Sequence, residues 1–315
     1  MMIECDQSVL GSNAVRVLCD YLCKTMNVPA TALEKLVLVS EAGFGSAVHT
    51  LQAQAASAQG YTNNSFYTAV GKTIPRKLSD GTVVSTIVCR QELVQAVFIG
   101  IESKKHIAEW HPVSQQGWYV LHHEFGHALD NFLRSDASDS GATMSTLQQI
   151  GEHYTGLLLS EFAASFHSGH AMSAEVYNDE IRSTAETLTK MLVEIEDKKR
   201  HFSPASSPLF PLAATVSQTM WLTLAQYAKV FGSRTSNEVL RAGELVYWEG
   251  ANPRSIAVLE SFRGELEAIR ELYPNWTANV DSQLFACWDE LCLANGYTFE
   301  FWPTGEEEFY FIPTT

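Results

Sequence analysis

Two histidines stand four residues apart with a glutamate beside the first. Val120 to Asp130 reads V-L-H-H-E-F-G-H-A-L-D, so His123, Glu124 and His127 spell H-E-x-x-H. On a helix of about 3.6 residues per turn this spacing sends both imidazoles off one face. Two nitrogens so placed suit one zinc ion, each at about 2.0–2.1 Å. Glu124 sits one residue round the helix, where it can take a proton from a metal-activated water without binding the metal itself. Val120, Leu121, Phe125, Ala128 and Leu129 make the flanks apolar, the pattern of a helix running through a core. Buried polar groups need partners, and one zinc ion would satisfy both imidazoles at once. The plain alternative is an amphipathic helix with solvated histidines. Gly126 in mid-helix costs about 1 kcal/mol against Ala, which points to close packing by another helix.

Catalytic zinc has three protein ligands and one position open to water. The third ligand must come from elsewhere in the chain. Leu157 to Phe166 reads L-L-L-S-E-F-A-A-S-F, and Glu161 is the lone carboxylate in this strongly apolar run. Burying it bare is costly unless a metal or a cation meets it. Ala164 and Ser165, one turn on, keep that face small, so the helix can approach the H-E-x-x-H helix closely. Asp130, His153, His167 and His170 are the alternatives, and a surface acid is the bland reading of Glu161. Tyr154 lies seven residues before Glu161, two turns back on roughly the same face. Its phenol can hydrogen-bond an oxyanion, although a tyrosine at that spacing is more often a core residue, and His153 competes for the role. Asp130, one turn beyond His127, either orients an imidazole or caps the helix end.

H-E-F-G-H-A-L-D followed by S-E-F-A-A-S-F resembles the catalytic core of the anthrax lethal factor-like metallopeptidases, a group that includes the secreted Pro-Pro endopeptidases. The resemblance covers about residues 118–170. These are gluzincins, and the likeness implies a zincin-like catalytic domain. It implies that His123, His127 and Glu161 hold one Zn2+ ion, that Glu124 is the general base and that Tyr154 stabilises the oxyanion. The family's tyrosine also precedes its ligand glutamate by seven residues. Ser165 stands where members often carry a second glutamate. The implied activity is that of a zinc-dependent endopeptidase acting on a peptide or protein substrate. A preference for Pro-rich peptides is not carried over. The alternative is a catalytically inactive zincin-like scaffold or protein-binding module.

The elements that must position these groups read as α+β. Residues 8–27 have helical spacing, ended by Asn27-Val28-Pro29. Leu36-Val37-Leu38-Val39 suits a buried strand, and Ser46 to Ala58 a helix. Ser79-Asp80-Gly81 reads as a turn before a strand over 82–89. Leu93 to Ile101 is apolar and fits strand or helix, and residues 102–117 read as a surface loop. The active-site helix is expected over about 117–132 and the ligand helix over about 147–168, with the strands over about 36–101. This gives a metallopeptidase domain over 1–200. A mostly helical region over 201–315 follows, either separate or packed as one unit with the first. Breaks are expected at 201–211, 232–236, 250–253 and Pro274, and a terminal β-hairpin over 298–312, as an edge on the sheet.

At 315 residues the chain can bury a sizeable core, and 46% hydrophobic against 18% charged residues is an ordinary globular balance. The formal charge of −15 argues against nucleic acid, whose phosphates call for basic patches. Six cysteines are too sparse for a disulfide framework at this length. Cys19 and Cys23 share a probable helix face but read as buried free thiols rather than ligands. Glu4 and Asp6 fall where a signal peptide would be basic, and no apolar stretch is long enough to span a membrane. The expectation is a chain made in the cytoplasm and soluble, with non-classical delivery left open.

Overall fold

In the computed structural model, which describes residues 2–5, 11–55, 69–134, 146–201, 210–275, 278–301 and 309–313, strands and helices mix throughout the first half. The elements run β1 (Met2–Cys5), α1 (Ser12–Thr25), β2 (Leu33–Val39), α2 (Glu41–Ala55), β3 (Gly71–Lys77), β4 (Val83–Arg90), α3 (Gln91–Glu102) and α4 (Pro112–Leu133). Then come α5 (Thr146–Ser168), α6 (Ala174–His201), α7 (Phe210–Ser236), α8 (Glu238–Arg241), α9 (Pro253–Leu272), α10 (Ala278–Ala294), β5 (Tyr297–Phe301) and β6 (Phe309–Pro313). The architecture is α+β and mostly helical, with one small mixed sheet.

That sheet has the order β1-β2-β4-β3. β1, β2 and β4 are parallel, and β3 pairs antiparallel with β4, Thr73 opposite Ile87 and Gly71 opposite Cys89. The period of two along each strand sorts its residues between two apolar faces. Leu36, Leu38, Ile87 and Cys89 pack with Val15 and Leu22 of α1, Val97 of α3 and Leu121 and Phe125 of α4. Val37, Val39, Ile74 and Val88 pack on the other side with Phe44 and Val48 of α2. Burial on both faces is why β2 reads as an unbroken apolar run. By the same alternation Gly71 and Thr73 share the face of the sheet that α4 covers.

Several expectations are corrected. Leu93 to Ile101 is helical, within α3. The segment read as a loop over 102–117 ends early, because α4 begins at Pro112. His111 caps it through Nδ1, which accepts from the Val113 amide at 3.4 Å. Proline is favoured at the first helical position, where its missing N–H is no loss. Gly117 is no break either, since a Cβ there would lie 2.9 Å from the Leu93 carbonyl oxygen, so it marks tight packing of α3 on α4. The break expected at 232–236 falls at Asn237, and α7 runs through to Ser236. The terminal strands β5 and β6 form an antiparallel two-stranded sheet of their own rather than an edge on the larger one. The end of the helix expected over Ser46 to Ala58, most of the break expected at 201–211 and the middle of the expected terminal hairpin lie outside the described residues.

The chain divides into two compact units. One comprises 1–139, 163–178 and 232–243; the other comprises 140–162, 179–231 and 244–315. The first holds the sheet with α1 to α4. The second is helical, with Trp221, Leu188, Ile195, Leu224, Leu284 and Leu291 buried. Helix α5 runs through both, changing unit between Phe162 and Ala163. Among the described residues no helix is long and apolar enough to cross a membrane.

Candidate metal centre

Helix α4 turns Glu124 toward β3 and His123 toward α5. His123 and Glu124 are both buried, and His127 is half-buried. The Nε2 atoms of His123 and His127 lie 3.1 Å apart, with ring planes at 84°. Two nitrogens on one tetrahedral zinc, each at the usual bond length, are separated by about 3.3 Å. Both imidazoles therefore present the nitrogen, and nearly the spacing, that a single ion needs.

Glu161, half-buried on α5, completes the group. Ligand atoms of His123, His127 and Glu161 all lie within 4.8 Å of one another, and no other such group of three occurs among the described residues. The local sequence explains how α5 comes so near. A Cβ on Gly126 would meet the Ala164 carbonyl oxygen at 2.6 Å and its Cα at 2.9 Å, so the two helices cross backbone to backbone. Ala163, Ala164 and Ser165 leave the room on the α5 side. Glu161 rides one turn earlier on the same helix.

The second nitrogen of His123 is also engaged. Its Nδ1 and the Ser165 hydroxyl are 3.3 Å apart in a buried contact. An imidazole that offers Nε2 to a metal carries its hydrogen on Nδ1 and donates it to a neighbour, which fixes the tautomer and the ring orientation. The Ser165 hydroxyl is placed to be that acceptor. Two imidazoles and one carboxylate so gathered are a donor set that could hold a metal ion, and nitrogen and oxygen donors of this kind suit zinc.

No family model, curated protein or solved structure matches the chain. The site is therefore read from its own chemistry.

Glu124 is held from the strand side. The Thr73 hydroxyl lies 2.7 Å from Glu124 Oε2 and 2.9 Å from the Glu124 carbonyl oxygen, both buried contacts. Beneath the carboxylate, burial pushes the Cys89 thiol well up, and the neighbouring Glu124 charge pushes it further, so Cys89 stays protonated and inert. Cys19 and Cys23 are free thiols, buried and half-buried, and neither belongs to the metal group.

The alternatives for the third ligand go elsewhere. Asp130, fully buried, forms a two-pronged ion pair with Arg134, Nε to Oδ1 at 2.8 Å and Nη2 to Oδ2. His167 and His170 are outside the metal group. Burial depresses His167 to about 4 and lowers His170 as well. Behind His123, the His122 Nδ1 donates to the Trp118 carbonyl at 2.9 Å, and burial takes His122 down to about 4. Its ring packs on Trp118 and on His170. These three are neutral imidazoles at neutral pH. The His153 side chain lies outside the described residues.

Tyr154, on α5 in the helical unit, is half-buried and stacked on Trp221, centroids 5.1 Å apart and planes 3° from parallel. Trp221 stacks in turn on Trp288 at 5.4 Å. Burial raises the Tyr154 phenol above its ordinary value, so it keeps its hydrogen as a donor. The residues that sequence reasoning missed are Gly71 and Thr73. Their only signal is a small residue and a hydroxyl two apart at the head of a short strand.

Proposed function

We propose that the chain is a zinc-dependent endopeptidase of the gluzincin kind, with a zincin-like catalytic domain. The observation that carries the reading is the convergence of ligand atoms from His123, His127 and Glu161 beside a buried, hydrogen-bonded Glu124. His123, His127 and Glu161 would hold the ion. When bound, zinc supplies Lewis acidity, lowering the pKa of a water and polarising a carbonyl oxygen.

The remaining chemistry belongs to side chains. Glu124 takes the proton from the attacking water and returns it to the leaving amine. Its burial and the Thr73 contact fix where that exchange happens. Tyr154, two turns before Glu161 on α5, is assigned the hydrogen bond to the oxyanion, and its raised pKa keeps the phenol protonated for that purpose. Peptide is favoured over a small amide by the position of β3. It is one of the two outer strands of the sheet, packed beside α4, and among the described residues no strand pairs with its outer edge, whose backbone N–H and C=O groups could meet an extended chain.

The test is zinc analysis of the purified protein with a peptide-library cleavage assay, run beside Glu124→Gln. The expected result is one zinc per chain in both proteins, with turnover lower by about 10²–10⁴-fold in the variant. Full activity in Glu124→Gln removes Glu124 as the base. A wild type that holds zinc and cleaves no peptide supports a scaffold or binding module instead.

A further inference from the structure

The general base of such a site must present its carboxylate in one direction, yet glutamate has three rotatable bonds with which to wander. Two residues of β3 address this. Gly71 and Thr73 lie on the face of the sheet that α4 covers. Both meet Glu124, fifty-odd residues away in sequence, at its side chain. A Cβ on Gly71 would fall 2.8 Å from Glu124 Cγ, 2.9 Å from Oε1 and 3.0 Å from Cδ. The space a side chain would occupy at position 71 is thus the space the carboxylate occupies. Two residues on, the Thr73 hydroxyl reaches Oε2 at 2.7 Å and the Glu124 carbonyl at 2.9 Å. A hydroxyl carries one hydrogen, so it donates to one of these at a time. The ionised carboxylate is the stronger acceptor and sits closer, so Oε2 receives it.

We propose that Gly71 and Thr73 are positioning residues for Glu124. Gly71 opens the cradle and Thr73 ties down Oε2. The inference rests on the reading of Glu124 as the base. Its geometry can nevertheless be examined apart from turnover.

The physical signature is a displaced carboxylate in a chain that still folds, with some stability lost where Thr73→Val takes a donor from the buried Oε2. In Gly71→Ala the new methyl meets the Glu124 side chain from Cγ outward rather than backbone, so the carboxylate must give way. In Thr73→Val the shape is kept and the hydroxyl is lost, whereas Thr73→Ser restores it. The experiment is a set of crystal structures of the zinc-loaded wild type, Gly71→Ala, Thr73→Val and Thr73→Ser, with metal content and melting temperature for each, and kcat and KM on the best library peptide. The expected result is zinc retained in all four. The Glu124 carboxylate should keep one position in the wild type and Thr73→Ser, and should be displaced or spread in the other two. Gly71→Ala and Thr73→Val should lose about 10- to 100-fold in kcat with KM little changed, and Thr73→Ser should recover most of it. An unmoved carboxylate in both Gly71→Ala and Thr73→Val overturns the proposal, as does a Thr73→Val enzyme with wild-type kcat. If the wild type cuts no peptide, the peptidase reading falls, and the carboxylate positions still decide this one.

Discussion

Helices α4 and α5 each bring part of the metal group, and they hold their parts in different ways. On α4 the polar side chains sit in a ready-made protein environment. The His123 Nδ1 meets Ser165, Glu124 meets Thr73, and the neighbouring Tyr119 hydroxyl is 3.3 Å from that of Ser233. On α5 Glu161 is half-buried, and its sequence neighbours Leu158, Leu159, Phe162 and Ala163 are all buried. Two imidazoles can be tied down by hydrogen bonds before any ion arrives. A half-buried carboxylate gains a full opposite charge from the ion itself. The lesson is that α4 carries a preorganised half-site and α5 the half that the metal completes.

The sharpest way to break that contrast is to remove one ligand from each helix. Glu161→Gln keeps the shape and deletes the charge. It should lower zinc affinity by well over about 100-fold, more than outer contacts cost, while melting in the presence of a chelator is unchanged or raised. His123→Ala should lose zinc equally and also melt lower without metal, because it empties a buried, hydrogen-bonded place. Isothermal titration with zinc and thermal unfolding in chelator distinguish the two. Equal chelator melting for both variants would erase the difference between the helices.

What was legible in the sequence follows the same division. His123, Glu124 and His127 are local in the chain, and their spacing reads directly as one helical face. Glu161 was legible as an anomaly, a charge inside an apolar run. Gly126 and Ala164 were legible as small residues where large ones would pack, and the backbone approach at 2.6 Å is what that smallness permits. β3 was not legible. Lys72, Pro75, Arg76 and Lys77 make a poor strand by propensity, and only its place at the edge of the sheet accommodates a proline. With the strand missed, Thr73 and Gly71 had no visible route to Glu124, because a contact over 51 residues leaves no periodic trace. The helical start at Pro112 was misjudged for a related reason, since proline marks helix beginnings as readily as loops.

A smaller effect should come from the crossing itself. Gly126→Ala puts a methyl against the Ala164 backbone, which unlike a side chain cannot swing aside. The helices must separate by some tenths of an ångström, at about 1–3 kcal/mol of folding stability. Glu161, one turn before Ala164, moves with α5, so zinc binding weakens in the same variant. Chemical denaturation measures the first and metal titration the second. A stability loss with unchanged zinc affinity would mean that Glu161 is placed independently of the crossing.

The mildest change tests whether α4 is preorganised by protein contacts at all. Ser165→Ala removes a buried hydroxyl that lies 3.3 Å from His123 Nδ1. If that contact fixes the tautomer, the ring spends part of its time with hydrogen on Nε2, the nitrogen that would face the ion. Zinc affinity should then fall by about 10-fold, at the low end for an outer contact. Ser165→Glu is the informative partner. It restores the residue type of the resembled family, and a carboxylate acceptor strengthens the imidazole as a donor to metal, provided the buried site has room for two more carbons. A gain in affinity there, beside the loss in Ser165→Ala, makes Ser165 the orienting group of His123. Unchanged affinity in Ser165→Ala would show that α4 holds its imidazoles by packing, and the contrast with α5 would then be one of shape rather than of hydrogen bonding.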